Sequence, residues 1–247
     1  MKMLLNLLIL PILLAGAAPI SPVLADTLTL FSSSQKLSNL NITSCSLNNV
    51  SPPLNKTTIA LSAPETNGTL QYVALGRGTQ NYSCAGATTP SAIGATATLF
   101  DVSCAAAADS NLLAELPVVA AKMPLDAAVL AALTVKRLTD SVLAGNNDQN
   151  NEIIVGQHFF VDATTPTFDF RPFGNQQWIE SQKLESVSAP GSAVEGSVAW
   201  LKLGYKDGLG IHQVYRVLTA GGSAPATCDG HKGTFEVDYA AVYYFYT

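Results

Sequence analysis

Apolar and polar positions alternate with a period of two wherever this chain is most regularly patterned. Between Thr234 and Tyr246, Phe235, Val237, Tyr239, Ala241, Tyr243 and Phe245 fall on one face, while Glu236 and Asp238 fall on the other. That period predicts a long strand, half buried at its start and aromatic on both faces at its end. Similar runs cover 70–75, 79–84, 92–102, 152–161, 198–203 and 211–218, with turn signals at 86–90, 164–166, 206–210 and 221–225. Several strands at this spacing, punctuated by Gly and Pro, predict an all-β fold, a mainly antiparallel sandwich or barrel.

One region breaks the period. Between Cys104 and Asn151 the composition turns to Ala and Leu, and Leu125, Val129, Leu130, Leu133 and Leu138 recur at helical spacing behind Pro124. This predicts a short helical insertion over 105–151, ending in the Gly/Asn-rich loop 145–151. Its simplest role is to cover an open end of the β structure, with a lid over a binding site as the alternative. The remainder, 65–247, reads as a single core-bearing domain.

The amino terminus sets the compartment. Lys2 precedes an apolar run over 7–14, and small residues close the segment at Ala25. That order is a secretory signal peptide over 1–25; the run is shorter than the roughly 20 residues a membrane helix needs. No later segment reads as a span. Lys2 is the only charge in the leader, so the mature chain carries 12 basic against 18 acidic residues, a formal charge of −6. An acidic chain without a basic cluster argues against nucleic acid and anionic membrane as partners. Sequons at Asn41, Asn49, Asn55, Asn67 and Asn81 predict N-glycosylation and a eukaryotic secretory route, with 39–70 lying at the surface and 26–64 as a glycosylated amino-terminal segment. Cys45, Cys84, Cys104 and Cys228 fit that route as two bridges. No pair has a C-x-x-C spacing, and the spacing alone leaves three connectivities open.

The stretch from Gly76 to Cys84, GRGTQNYSC, has the look of a phosphate loop, but no helical period follows it. A phosphate loop needs a helix N-terminus to supply free N–H groups. The stretch therefore reads as a strand ending in a bridge, with Gly76 and Gly78 marking a bulge or bend and Arg77 as an ion-pair or carbonyl-binding residue, anion binding being its functional alternative. His158 and Asp162 would lie about 13 Å apart on a strand, too far to share a metal. His158 reads as a hydrogen-bonded histidine or a site residue, and His212 and His231 as solvated. No Gly-x-Ser-x-Gly elbow supports a Ser-His-Asp hydrolase. Asp162, Asp169, Glu180 and Glu185 could converge as a glycosidase pair. Trp178, Tyr244 and Tyr246 could stack on sugar rings, whereas Trp200 reads as core.

Taken in order, several phrases resemble a family of secreted fungal and bacterial domains of unknown function. These are Gly76–Cys84, ATLFD at 97–101, Gly156-Gln-His158, Trp200-Leu-Lys-Leu203, Tyr215-Arg-Val-Leu-Thr-Ala-Gly-Gly222 with Arg216 inside it, Pro225-Ala-Thr-Cys228, and Tyr239 to Tyr246. The resemblance covers about 65–247. It implies bridges between Cys84 and Cys228 and between Cys45 and Cys104. Members are sometimes labelled malate dehydrogenase, but no strand here leads through Gly-x-Gly-x-x-Gly into a helix; Gly208-Leu-Gly210 leads into a strand pattern.

These readings point to a secreted, disulfide-bonded, N-glycosylated β domain that binds an extracellular or cell-wall glycan or a host surface without catalysis and without a cofactor. Candidate binding residues are Arg77, His158, Trp178 and Arg216. The alternatives are an extracellular hydrolase using convergent carboxylates beneath the insertion, and a structural coat or wall protein.

Overall fold

The computed structural model describes residues 45–142 and 153–247. The leader, the Asn41 sequon and the loop at 145–151 lie outside the described residues. Eight antiparallel strands close into a barrel in sequential order. They are β1 (Leu70–Ser83), β2 (Ser91–Asp101), β3 (Ile154–Asp162), β4 (Thr165–Asp169), β5 (Trp178–Val187), β6 (Trp200–Leu209), β7 (Gln213–Gly221) and β8 (Thr234–Tyr246), and β8 pairs back onto β1. Closure removes the free sheet edges that an open sandwich would leave. Three helices, α1 (Ser103–Ala108), α2 (Ser110–Ala120) and α3 (Leu125–Val142), are inserted between β2 and β3.

The two-faced aromatic pattern of β8 has a direct cause. Tyr239, Ala241, Tyr243 and Phe245 point into the barrel, packing with Phe168, Phe170, Leu99 and Ile179. Val242, Tyr244 and Tyr246 point outward into a second buried layer with Trp200, Tyr215, Val217 and, from α2, Leu112, Leu113 and Leu116. The Asp109 carboxylate caps α2 by accepting from the Asn111 and Leu112 N–H groups at 2.9 and 3.1 Å. The insertion therefore covers the outer wall over β1, β7 and β8, not an open end of the barrel. Leu61 of the strap that precedes β1 joins the same layer. Tyr244 and Tyr246, read from sequence as exposed stacking residues, are 2% and 5% exposed under this cover.

Glycines fit the barrel to its large side chains. A Cβ on Gly76 would come 2.6 Å from the Tyr243 ring, and one on Gly78 would come 1.8 Å from the Thr96 carbonyl oxygen. The β1–β2 and β1–β8 ladders run without a register shift at either glycine. These residues thus permit close approach; the bulge lies further along, between Asn81 and Tyr82.

Other boundaries differ from the sequence reading as well. Positions 70–75 and 79–84 belong to one strand. β4 starts inside the expected turn at 164–166, with Pro166 beside the register shift between Phe160 and Asp162, where the ladder is already irregular. β5 was absent from the sequence reading, and β6 runs through 206–209.

The bridges are Cys84–Cys228 and Cys45–Cys104. The first joins the end of β1 to the loop before β8, and the second joins the start of the strap to α1. Two disulfides fit a domain of extracellular type. Among the described residues no helix is long and apolar enough to cross a membrane.

Candidate functional site

Beyond the edge of the helical cover, the outer faces of β8, β1, β2 and β3 form the floor of a groove of about 650 Å³. Its far wall is the α2–α3 corner, from Lys122 to Leu125. The outward side chains follow from the registers. Arg77 pairs with Thr98, Thr98 with Gln157, Gln157 with Asp169, and Asp169 with Trp178. One row of side chains therefore crosses five strands. At about 4.8 Å per strand, Arg77 and Trp178 stand roughly 19 Å apart along it. A neighbouring row contains Asp238, Thr79 and Thr96. The groove thus presents three threonine hydroxyls, the Gln157 amide, the Glu236 and Asp238 carboxylates, and the apolar Met123, Pro124 and Phe159.

Arg77 builds the far wall. Its Nε and Nη2 donate to the Met123 carbonyl at 2.9 and 2.7 Å, and Nη2 also donates to Asp238 Oδ1 at 2.8 Å. Nη1 donates to the Gly78 carbonyl. One guanidinium fixes the helical corner against the barrel, a task that uses its planar fork of donors.

His158 also lines the groove, but its ring lies within the barrel, stacked on Phe168 at 4.3 Å. Nδ1 sits 2.9 Å from the Thr167 carbonyl. A carbonyl only accepts, so Nδ1 carries the hydrogen and Nε2 a bare lone pair. Burial lowers the pKa of His158 to about 4, an effect reinforced by the Arg216 charge and opposed by the Thr167 carbonyl.

Trp178 closes the row. It is half buried, and the Arg171 guanidinium lies 4.6 Å from its ring centroid. Arg171 is fixed in turn by Asp169 at 2.8 Å. The fourth sequence candidate, Arg216, faces into the barrel from β7, where its charge acts on His158, and its Nε and Nη2 donate to the Ala199 carbonyl at 3.2 and 2.9 Å. Arg77 and, by continuation of its row, Trp178 belong to one outer surface, whereas the side chains of His158 and Arg216 face the barrel interior.

The carboxylates singled out from sequence do not gather beneath the insertion. Asp162 accepts from the Thr164 N–H and then from the Thr164 and Thr165 hydroxyls, Asp169 from Arg171, and Glu185 from Ser62, and these hydrogen bonds lower all three pKa values, that of Asp162 to about 2. Glu180 stands in register with Thr167 and Asp207. A general acid needs the opposite displacement. The outward alternation of Glu236 and Asp238 on β8 is visible in the sequence, but only closure onto β1 sets Asp238 beside Thr79 and Arg77 and Glu236 opposite Asn81. Among the described residues no cluster of His, Cys, Asp and Glu could hold a metal ion. Of the sequons, Asn49, Asn55 and Asn67 are exposed, and Asn81 is half buried beside Thr79, whose hydroxyl it accepts at 3.0 Å.

Residues 64–247 match a protein family described as "Protein of unknown function (DUF3455)". No curated protein and no solved structure matches the chain.

Proposed function

Since the chain belongs to this family of unknown function, we propose that it is a secreted, disulfide-bonded glycoprotein that binds an extended glycan of a cell wall or surface in the groove over β8, β1, β2 and β3. The observation that carries this reading is the groove's composition. Threonine hydroxyls, an amide and carboxylates alternate beside Met123, Pro124 and Phe159 in about 650 Å³. A sugar chain offers hydroxyls that donate and accept in alternation, together with apolar ring faces, and this mixture of partners suits it. Arg77 and the neutral His158 hold the groove in shape, and the row toward Trp178 extends the contact along the ligand. The leader, the exposed sequons and the two bridges support an extracellular setting.

A second reading, hydrolysis of the bound glycan, is favoured by one observation. Glu236 and Asp238 lie two residues apart on the same face of β8, both within the groove. Two strand residues rise by roughly 7 Å, so both carboxylates can reach the same bound ligand.

Titration calorimetry of the glycosylated mature protein with chito-, cello- and β-gluco-oligosaccharides tests the binding reading. Saturable binding of one series, without release of shorter products, is the expected result. Binding of none would remove the proposal. Product release lost in Glu236→Gln or Asp238→Asn would replace it with the hydrolase.

A further inference from the structure

A second surface has the chemistry of a recognition site, away from the groove and independent of it. We propose that the outer face of β5, β6 and β7 around Glu185, Lys202 and Tyr215 is a peptide-binding site for an extended apolar-Ser-small segment, which this chain fills with its own Leu61, Ser62 and Ala63.

The contacts read three main-chain groups of the occupant, the Ser62 N–H and the Ser62 and Ala63 carbonyls. Glu185 Oε2 accepts the Ser62 N–H at 2.8 Å, and Oε1 accepts the Ser62 hydroxyl. The Tyr215 hydroxyl donates to the Ser62 carbonyl at 2.8 Å, and Lys202 Nζ donates to the Ala63 carbonyl at 3.1 Å. Lys202 Nζ also donates to Ser62 Oγ at 2.7 Å, so the serine hydroxyl is held from both sides. Leu61 is 3% exposed and buried in the outer layer with Trp200 and Tyr215. A carboxylate for the N–H, two donors for consecutive carbonyls, and a buried seat for the preceding side chain are the parts of a site for an extended peptide. The hydroxyl adds selectivity, since a segment lacking it leaves the Lys202 and Glu185 groups without that partner.

The receiving side chains are held by the barrel itself. Tyr215 is fully buried, and its hydroxyl also lies 3.3 Å from Gln213 Oε1. Lys202 is 7% exposed, stands 5.7 Å from the centroid of the Tyr215 ring, and lies 4.0 Å from Glu185. The occupant, in contrast, lies at the surface, with Ser62 and Ala63 exposed. The stretch matched to the family begins at residue 64, directly after the occupant. The face therefore lies within the family region, and the segment filling it lies outside.

The test uses the full, disulfide-bonded protein with a protease recognition sequence inserted at the exposed turn between Thr66 and Asn67, cut after folding. The strap then stays tethered through Cys45–Cys104 but can leave the face. A fluorescein-labelled peptide of residues 57–64 is titrated by anisotropy. Uncut protein is expected to give no saturable binding, and cut protein whose own strap carries Ser62→Pro, so that the tethered copy no longer competes, saturable binding. The same peptide with Ser62→Ala should bind at least fivefold weaker, and Glu185→Gln in the cut protein should abolish binding. Ser62→Pro in uncut protein, which removes the donated N–H, should also open the site. Cut protein that keeps its melting transition yet binds no peptide, or binds native and scrambled peptides alike, would overturn the proposal and leave the contacts as a structural latch.

Discussion

Arg77 of β1 and Asp238 of β8 form an ion pair of 2.8 Å in which the arginine side chain is 3% exposed and the carboxylate 66%. The asymmetry divides the labour: the guanidinium is committed to the Met123 carbonyl and to the wall of the groove, and the carboxylate faces solvent within the groove. Removing the arginine strands buried acceptors, whereas removing the carboxylate leaves Arg77 with its carbonyl partners.

Arg77→Met should therefore cost about 2–3 kcal/mol, mainly from the unsatisfied Met123 and Gly78 carbonyls. Asp238→Asn should cost less than about 1 kcal/mol, as expected of a pair with one exposed partner. Urea unfolding of both variants checks the order. Equal losses would contradict the division.

Gly76→Ala and Gly78→Ala should both destabilise, for different reasons. At 76 the added methyl meets the edge of the buried Tyr243 ring, which can shift slightly; at 78 it meets the Thr96 carbonyl on the neighbouring strand. Overpacking costs typically about 1–3 kcal/mol, and more where backbone must move. Thermal melts should rank Gly78→Ala as the more damaging, to the point of losing the folded barrel.

Stability should fall with acid in a window set by His158. Its folded pKa of about 4 lies below the ordinary 6.5, so between these values the unfolded chain binds a proton that the folded protein does not. The contribution is full above pH 6.5 and is lost as pH falls toward 4, on the order of 3 kcal/mol across the whole window. Asp169 and Glu185, displaced downward, add to the loss only below the ordinary carboxylate range. The urea midpoint of the wild type should therefore drop between pH 7 and 5, and that of His158→Phe should stay nearly flat there. Parallel slopes in the two proteins would show that another group titrates.

Much of this architecture was legible in the alternation of the strands. The run from Thr234 to Tyr246 announced a strand aromatic on both faces at its end, but not that Tyr244 and Tyr246 are buried, which needs one face to fill the barrel and the other to lie under a cover. The choice between sandwich and barrel was not legible, because it depends on β8 pairing with β1, a contact across nearly the whole domain. β4 and β5 escaped because Thr165-Pro166 carries a turn signal and because Lys183, Leu184 and Glu185 do not alternate cleanly. Arg77, His158 and Trp178 attracted notice as isolated residues. The row that links Arg77 to Trp178, and the inward seat of His158, are matters of register, which no local pattern contains, and Glu236 and Asp238 gained meaning only with closure.

Trp178 stands at the end of the row, with Arg171 over its ring, so Trp178→Ala should weaken glycan binding several-fold without abolishing it. Calorimetry against the best oligosaccharide checks this. Complete loss would move the centre of the site from the groove to the β4–β5 face.

The most direct test of the groove is a steric block at its centre. Purified glycosylated protein is incubated with insoluble chitin, β-glucan and cellulose, alongside Thr98→Arg, which fills the groove between Arg77 and Gln157, and Thr227→Arg, a surface change outside the groove lining. Wild type and Thr227→Arg should be retained on at least one polymer, and Thr98→Arg should be released. Retention of Thr98→Arg alongside the wild type, or retention of none of the three on any polymer, would contradict glycan binding in the groove.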